Sequence, residues 1–133
     1  MPLAGKRILM RIDANVPIKK GKAVDGPQGR IARSAVDIDW LMQRKAKIIL
    51  MTHLGRPDGK FVSAYSVAPV AKRLSELLRT KVKTVCGIVD EKVQKAVARL
   101  EDGEVLLLEN IRFHPLEKKD DPGFAKQLAA LGD

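Results

Sequence analysis

The stretch Lys47-Ile48-Ile49-Leu50-Met51-Thr52-His53-Leu54-Gly55-Arg56-Pro57 decides the fold. Its first half is a short, continuous apolar run, the pattern of a strand buried on both faces. Its second half breaks into a histidine, a glycine and an arginine. Parallel α/β sheets bind ligands where their strands end, so a strand running into glycine and a cation is a candidate anion site. The strand is read as Lys47–Thr52 and the loop after it as residues 55–64.

Toward the N-terminus, Ile8-Leu9-Met10-Arg11-Ile12 predicts a first strand. It stops at Asp13-Ala14-Asn15-Val16-Pro17, because Pro17 cannot donate to a ladder. Residues 19–29 hold three Gly, one Pro and three Lys and read as an exposed loop. From Arg30 the period becomes helical, with Ile31, Ala35, Ile38 and Met42 on one face. Gly29 puts Arg30 at the helix start, where a cation opposes the macrodipole unless an anion is near.

Toward the C-terminus, Ser66 is expected to cap a helix running to about Arg79, with Val67, Val70, Ala71, Leu74, Leu77 and Leu78 inward. Pro69 is tolerable in its first turn. Val82–Val85 reads as a third strand. Asp90 is expected to cap a helix with Val93, Ala96, Val97 and Leu100 inward, ended by Asp102-Gly103. Val105–Leu108 is a fourth strand, apolar throughout and so covered on both faces. Asp121 and Pro122 start a last helix, with Phe124, Ala125 and Leu128 inward. Strands alternating with helices imply right-handed βαβ crossovers. The expected class is α/β: a three-layer α/β/α, Rossmann-like parallel sheet of about four strands. The strand order is left open.

A chain of 133 residues is one domain's worth. Its 45% apolar and 31% charged residues are those of a globular protein rather than a disordered one. The formal charge of +9 favours an anionic partner, whether nucleic acid, membrane surface or phosphorylated metabolite, or simply a solubilising surface. The single cysteine, Cys86, excludes an internal disulfide framework and reads as a small core residue. One cysteine and two histidines do not argue a zinc site. The N-terminus lacks the apolar stretch of a signal peptide, and no apolar run approaches membrane-spanning length. A cytoplasmic location is expected, with no membrane partner.

All strand ends of a parallel sheet lie on one edge. The first strand brings Asp13 and Asn15 there, the second His53 and Arg56, the fourth Asn110 and Arg112; Arg30 arrives on the helix after the first loop. Arginine forks match phosphate or carboxylate oxygens. Asp13 can accept from a hydroxyl, and Asn15 can donate or accept. Taken singly, Asp13 and Asn15 are also ordinary turn formers, and Arg56 and Arg112 ordinary solvated charges. Their convergence suits a small ligand carrying phosphate and hydroxyls. His114 and the lysines of residues 19–22 are read as surface. There is no G-x-x-x-x-G-K-[ST] and no G-x-G-x-x-G, so no cofactor or metal is assigned to this chain.

At these residues the chain resembles the phosphoglycerate kinases. The matching stretches are Arg11-Ile12-Asp13-Ala14-Asn15-Val16-Pro17, Arg30-Ile31, Met51-Thr52-His53-Leu54-Gly55-Arg56-Pro57 and Leu107-Leu108-Glu109-Asn110-Ile111-Arg112-Phe113. The resemblance implies phosphoryl transfer between 1,3-bisphosphoglycerate and ADP, in glycolysis. It implies an N-terminal domain that binds the glycerate, a C-terminal domain that binds Mg-ATP or Mg-ADP, and a hinge that closes them. Asp13 and Asn15 would contact the glycerate hydroxyl and nearby oxygens; His53, Arg56 and Arg112 would hold the phosphate that is not transferred. Arg30 would reach the carboxyl end and act catalytically, stabilising charge on the phosphoryl in flight. Ala14 stands where the family usually has a bulky apolar residue, and residues 24–29 make a slightly longer loop than usual.

The resemblance also implies that residues 1–133 are a partial N-terminal domain, lacking the following strand, a further arginine and the nucleotide domain. The chain alone is then expected to be inactive, to bind 3-phosphoglycerate weakly, and to show an open sheet edge; it is expected to be a monomer if soluble. Two other readings stand beside this one. One is a stand-alone binding module for a phosphorylated metabolite. The other is a basic nucleic-acid binder, disfavoured by 4% aromatic residues and the lack of a binding motif.

Overall fold

The computed structural model describes residues 2–54, 65–85, 87–113 and 122–132, with backbone alone at Arg112. In chain order the elements are β1 (Arg7–Arg11), β2 (Ile18–Lys19), β3 (Lys22–Ala23), α1 (Arg30–Gln43), β4 (Lys47–Met51), α2 (Ala68–Leu78), β5 (Lys83–Thr84), α3 (Glu91–Ala98), β6 (Val105–Leu107) and α4 (Pro122–Ala129). A 3-10 turn, Ile111–Phe113, follows β6. The expected loop 55–64, Cys86, His114 and Asp121 lie outside the described residues.

The main sheet is parallel and runs β1-β4-β6-β5. Its two central strands explain the uninterrupted apolar runs. Ile48 and Leu50 of β4, with Val105 and Leu107 of β6, face a core built from Ile31, Ala35 and Ile38 of α1 and Val70, Ala71 and Leu74 of α2. Ile49 and Leu106 face the other way, onto Val93 and Val97 of α3 and, beyond α4, Leu131. Helices therefore cover both faces, and the architecture is the three-layer α/β/α expected. No described helix is long and apolar enough to cross a membrane.

Several local expectations are corrected. Residues 19–29 are not all loop: β2 and β3 pair as an antiparallel hairpin, with Lys20 and Gly21 at φ 52° and 73°. Both positive values suit the tight turn that matches strand twist. Ser66 is not the cap of α2. The Glu109 carboxylate accepts from Val67 N–H at 2.9 Å and from the Ser66 hydroxyl at 3.0 Å, so the helix is held from the end of β6. The third strand is only Lys83–Thr84, both exposed, as suits a short edge. Ala125 of α4 is exposed, and Phe124 and, beyond the helix, Leu131 are the buried residues there. Asp90 does cap α3, its Oδ1 accepting from Val93 N–H at 3.1 Å.

The start of α1 holds the largest departure. Asp25, read as part of a solvated loop, has a fully buried side chain. Its carboxylate accepts from Ile31 N–H at 3.0 Å and Ala32 N–H at 3.1 Å. Arg73 Nε of α2 donates to it at 3.0 Å. The carboxylate also sits where a side chain on Gly29 would be, since a Cβ there would fall 2.0 Å from Asp25 Oδ1.

Candidate functional site

Three strands release their chains side by side at one rim. Ile12 N–H donates to Met51 O at 3.0 Å, so β1 stays against β4 for one residue past its end. The next residue, Asp13, turns out to solvent with 63% of its side chain exposed, and its Oδ1 accepts from Asn15 N–H at 3.4 Å. This is the local side-chain turn that Asp and Asn favour. Ala14 N–H points inward and donates to Thr52 Oγ1 at 3.3 Å. The first loop is therefore tied to the exit of β4.

Arg30, the first residue of α1, reaches back over that loop. Its Nη1 donates to Asn15 O at 2.9 Å and lies 3.5 Å from Asp13 Oδ1. The Arg30 side chain is 55% exposed, and an exposed pair of this kind is weak. The macrodipole argument needs revision, because the chain supplies the anion at this helix start itself, through Asp25. The helix-start position of Arg30 thus needs no external anion to offset the macrodipole.

His53 is half-buried, and its Nδ1 lies 3.4 Å from Arg11 Nη2. A hydrogen bond there requires an unprotonated Nδ1 and leaves Nε2 to carry the ring proton. Arg11 lies inside the strand read from the sequence and is not among its candidate residues. Its signal was available: it stands two residues before Asp13, on the same side of the pleat.

Asn110 is a correction. The sequence puts it among the groups open to a ligand, but it is fully buried. Its Oδ1 accepts from Leu54 N–H at 3.2 Å, and its Nδ2 donates to Leu54 O at 2.6 Å and Tyr65 O at 3.0 Å. It ties Leu54 and Tyr65 to the end of β6. Next to it, Ile111 N–H donates to Thr52 O at 3.0 Å, which sets the backbone of Arg112 on the same rim as His53. The side chain of Arg112 and all of Arg56 lie outside the described residues. Among the described residues no cluster of three or more His, Cys, Asp or Glu is placed to hold a metal.

The family model for phosphoglycerate kinase matches residues 1–133. The chain belongs to the phosphoglycerate kinase family. It is 47% identical over 133 residues to the phosphoglycerate kinase of Moorella thermoacetica, covering all of this chain and 33% of that protein. It is 49% identical over 131 residues to that of Fervidobacterium nodosum, covering 98% of this chain and 32% of the relative. Among solved structures, phosphoglycerate kinase from Coxiella burnetii superposes with a TM-score of 0.85 at 36% identity, over 100% of this chain and 32% of that one. The enzyme from Pyrococcus horikoshii gives 0.80 at 29% identity, over 100% and 34%. The chain thus spans about a third of the length of the phosphoglycerate kinases it matches.

Proposed function

We propose that this chain supplies the glycerate-binding rim of a phosphoglycerate kinase and holds 3-phosphoglycerate or 1,3-bisphosphoglycerate. The observation that carries the reading is the meeting of Asp13, Asn15 and Arg30 beside the exit of β4, within one hydrogen-bonded turn. In this reading Asp13 and Asn15 take the hydroxyl and neighbouring oxygens, and His53, Arg56 and Arg112 hold the phosphate that stays. Arg30 exchanges its weak contact with Asp13 for the substrate's reacting end. Phosphoryl transfer needs positioned cations more than a nucleophile of the protein's own. The nucleotide, as Mg-ATP or Mg-ADP, would be presented by a separate domain closing on this rim.

A titration of the 15N-labelled chain with 3-phosphoglycerate tests this. Saturable shifts are expected together at the amides of Asp13, Arg30, His53, Arg56 and Arg112. Absence of saturation, or shifts scattered over the lysine-rich surface, would reject the reading. Mixed oligonucleotides serve as the control: useful affinity with a steep salt slope would favour nucleic acid instead.

A further inference from the structure

We propose that Thr52 is a positioning residue whose buried hydroxyl holds the Asp13–Asn15 turn in register with His53. Thr52 and Ala14 are both fully buried. The hydroxyl accepts from Ala14 N–H at 3.3 Å and donates to His53 O at 3.4 Å. One O–H with its lone pairs can do both at once. The same residue's carbonyl accepts from Ile111 N–H at 3.0 Å. One side chain and its own peptide group therefore touch all three exits: the turn between Asp13 and Asn15, the backbone of His53, and the residue before Arg112.

The geometry gives the hydroxyl a task that apolar packing cannot do. Ala14 N–H points into the core and, past the end of β1, has no strand partner there. Without the Thr52 oxygen that amide is left buried and unmet, and the turn must shift to find another acceptor. Asp13 and the Asn15 carbonyl would move with it, and Arg30 would lose its anchor. Valine has nearly the shape of threonine without the hydroxyl, so it separates the hydrogen bond from the packing. What the rim holds rests on the substrate reading above; the positioning itself does not.

The test uses the whole chain, 15N-labelled, as wild type, Thr52→Val and Thr52→Ser. Amide exchange at Ala14 is expected to be roughly tenfold faster in Thr52→Val, the weight of one orphaned buried N–H, and to return to the wild-type rate in Thr52→Ser. Exchange at Ile49 and Leu106 stays unchanged, showing the sheet intact. Affinity for 3-phosphoglycerate is expected to fall in Thr52→Val, again roughly tenfold, and to recover in Thr52→Ser. Unchanged Ala14 exchange overturns the proposal, and so does unchanged affinity where the wild type binds. If the wild type shows no binding, the substrate reading falls and the exchange measurement alone decides Thr52. Should valine unfold the chain, Thr52→Cys, with similar volume and a weaker acceptor, takes its place with the same direction of effect.

Discussion

Replacing Asp25 with alanine tests how the head of α1, and with it Arg30, is held. Gly29 gives that helix no side-chain cap, so the two amide bonds to Asp25 do the capping. Loss of a capping side chain costs about 1 kcal/mol. Deleting one partner of a buried ion pair costs about 3–5 kcal/mol. The two overlap, since one carboxylate makes all the bonds. Arg73 keeps 24% of its side chain exposed and has Glu76 at 3.9 Å, so it can recover some solvation. The expected loss is therefore about 3 kcal/mol, the lower end of that range, and a large share of the ~5–15 kcal/mol that holds a domain together. Urea unfolding followed by Trp40 fluorescence measures it directly: Trp40 lies on α1 with the Arg44 guanidinium 3.5 Å from its ring. The midpoint should fall with the slope unchanged. Arg73→Met should also destabilise, because it leaves the buried carboxylate charged without its cation, though the carboxylate keeps its two helix amides. A loss below about 1 kcal/mol for Asp25→Ala, within the spread of an ordinary surface cap, would refute the reasoning.

Asn110→Ala strips a buried donor, a buried acceptor and a part-buried acceptor of their partner and should cost about 3 kcal/mol in urea unfolding; a cost near zero would mean water replaces the amide. Glu104 takes a hydrogen bond from Lys83 and another from the Glu101 amide, which hold its carboxyl below the usual 4.5. A carboxyl lowered by folding stabilises the fold fully above its unfolded pKa and loses that contribution as pH falls through the folded one. The stability difference between wild type and Glu104→Gln should thus be constant above about pH 4.5 and shrink below it. A difference that is flat down to strong acid would contradict the pairing.

Legibility in the sequence followed the number of constraints on each residue. Residues 48–50 and 105–107 must be apolar at every position because both faces are covered, so they announce themselves. The β2–β3 hairpin does not, because two-residue strands carry no period and Lys20 takes the left-handed turn that glycine would have signalled. Asp25 was unreadable for a different reason. A carboxylate among Gly, Pro and Lys looks solvated, and only the packing of α2 brings Arg73 onto it, 48 residues away. Asn110 shows the limit of arguing from an edge: strand-end position says where a residue is, not which way its side chain faces.

Strand order is what brings these positions together, and no local pattern could supply it. The three strands whose ends carry candidate groups, β1, β4 and β6, are consecutive in the sheet. The strand whose end carries none, β5, is placed outside them. Neighbouring strands lie about 4.8 Å apart, so the exits of β1 and β6 are separated by roughly 10 Å. In the reading proposed above, a three-carbon acid with a phosphate would bridge that span. Had β5 been inserted between β4 and β6, Arg112 would start another strand width away, and a bridging contact with His53 would need a larger ligand. The same adjacency allows a single threonine to touch all three exits, so the proposed fit to a small substrate and the proposed role of Thr52 both rest on the order of the sheet.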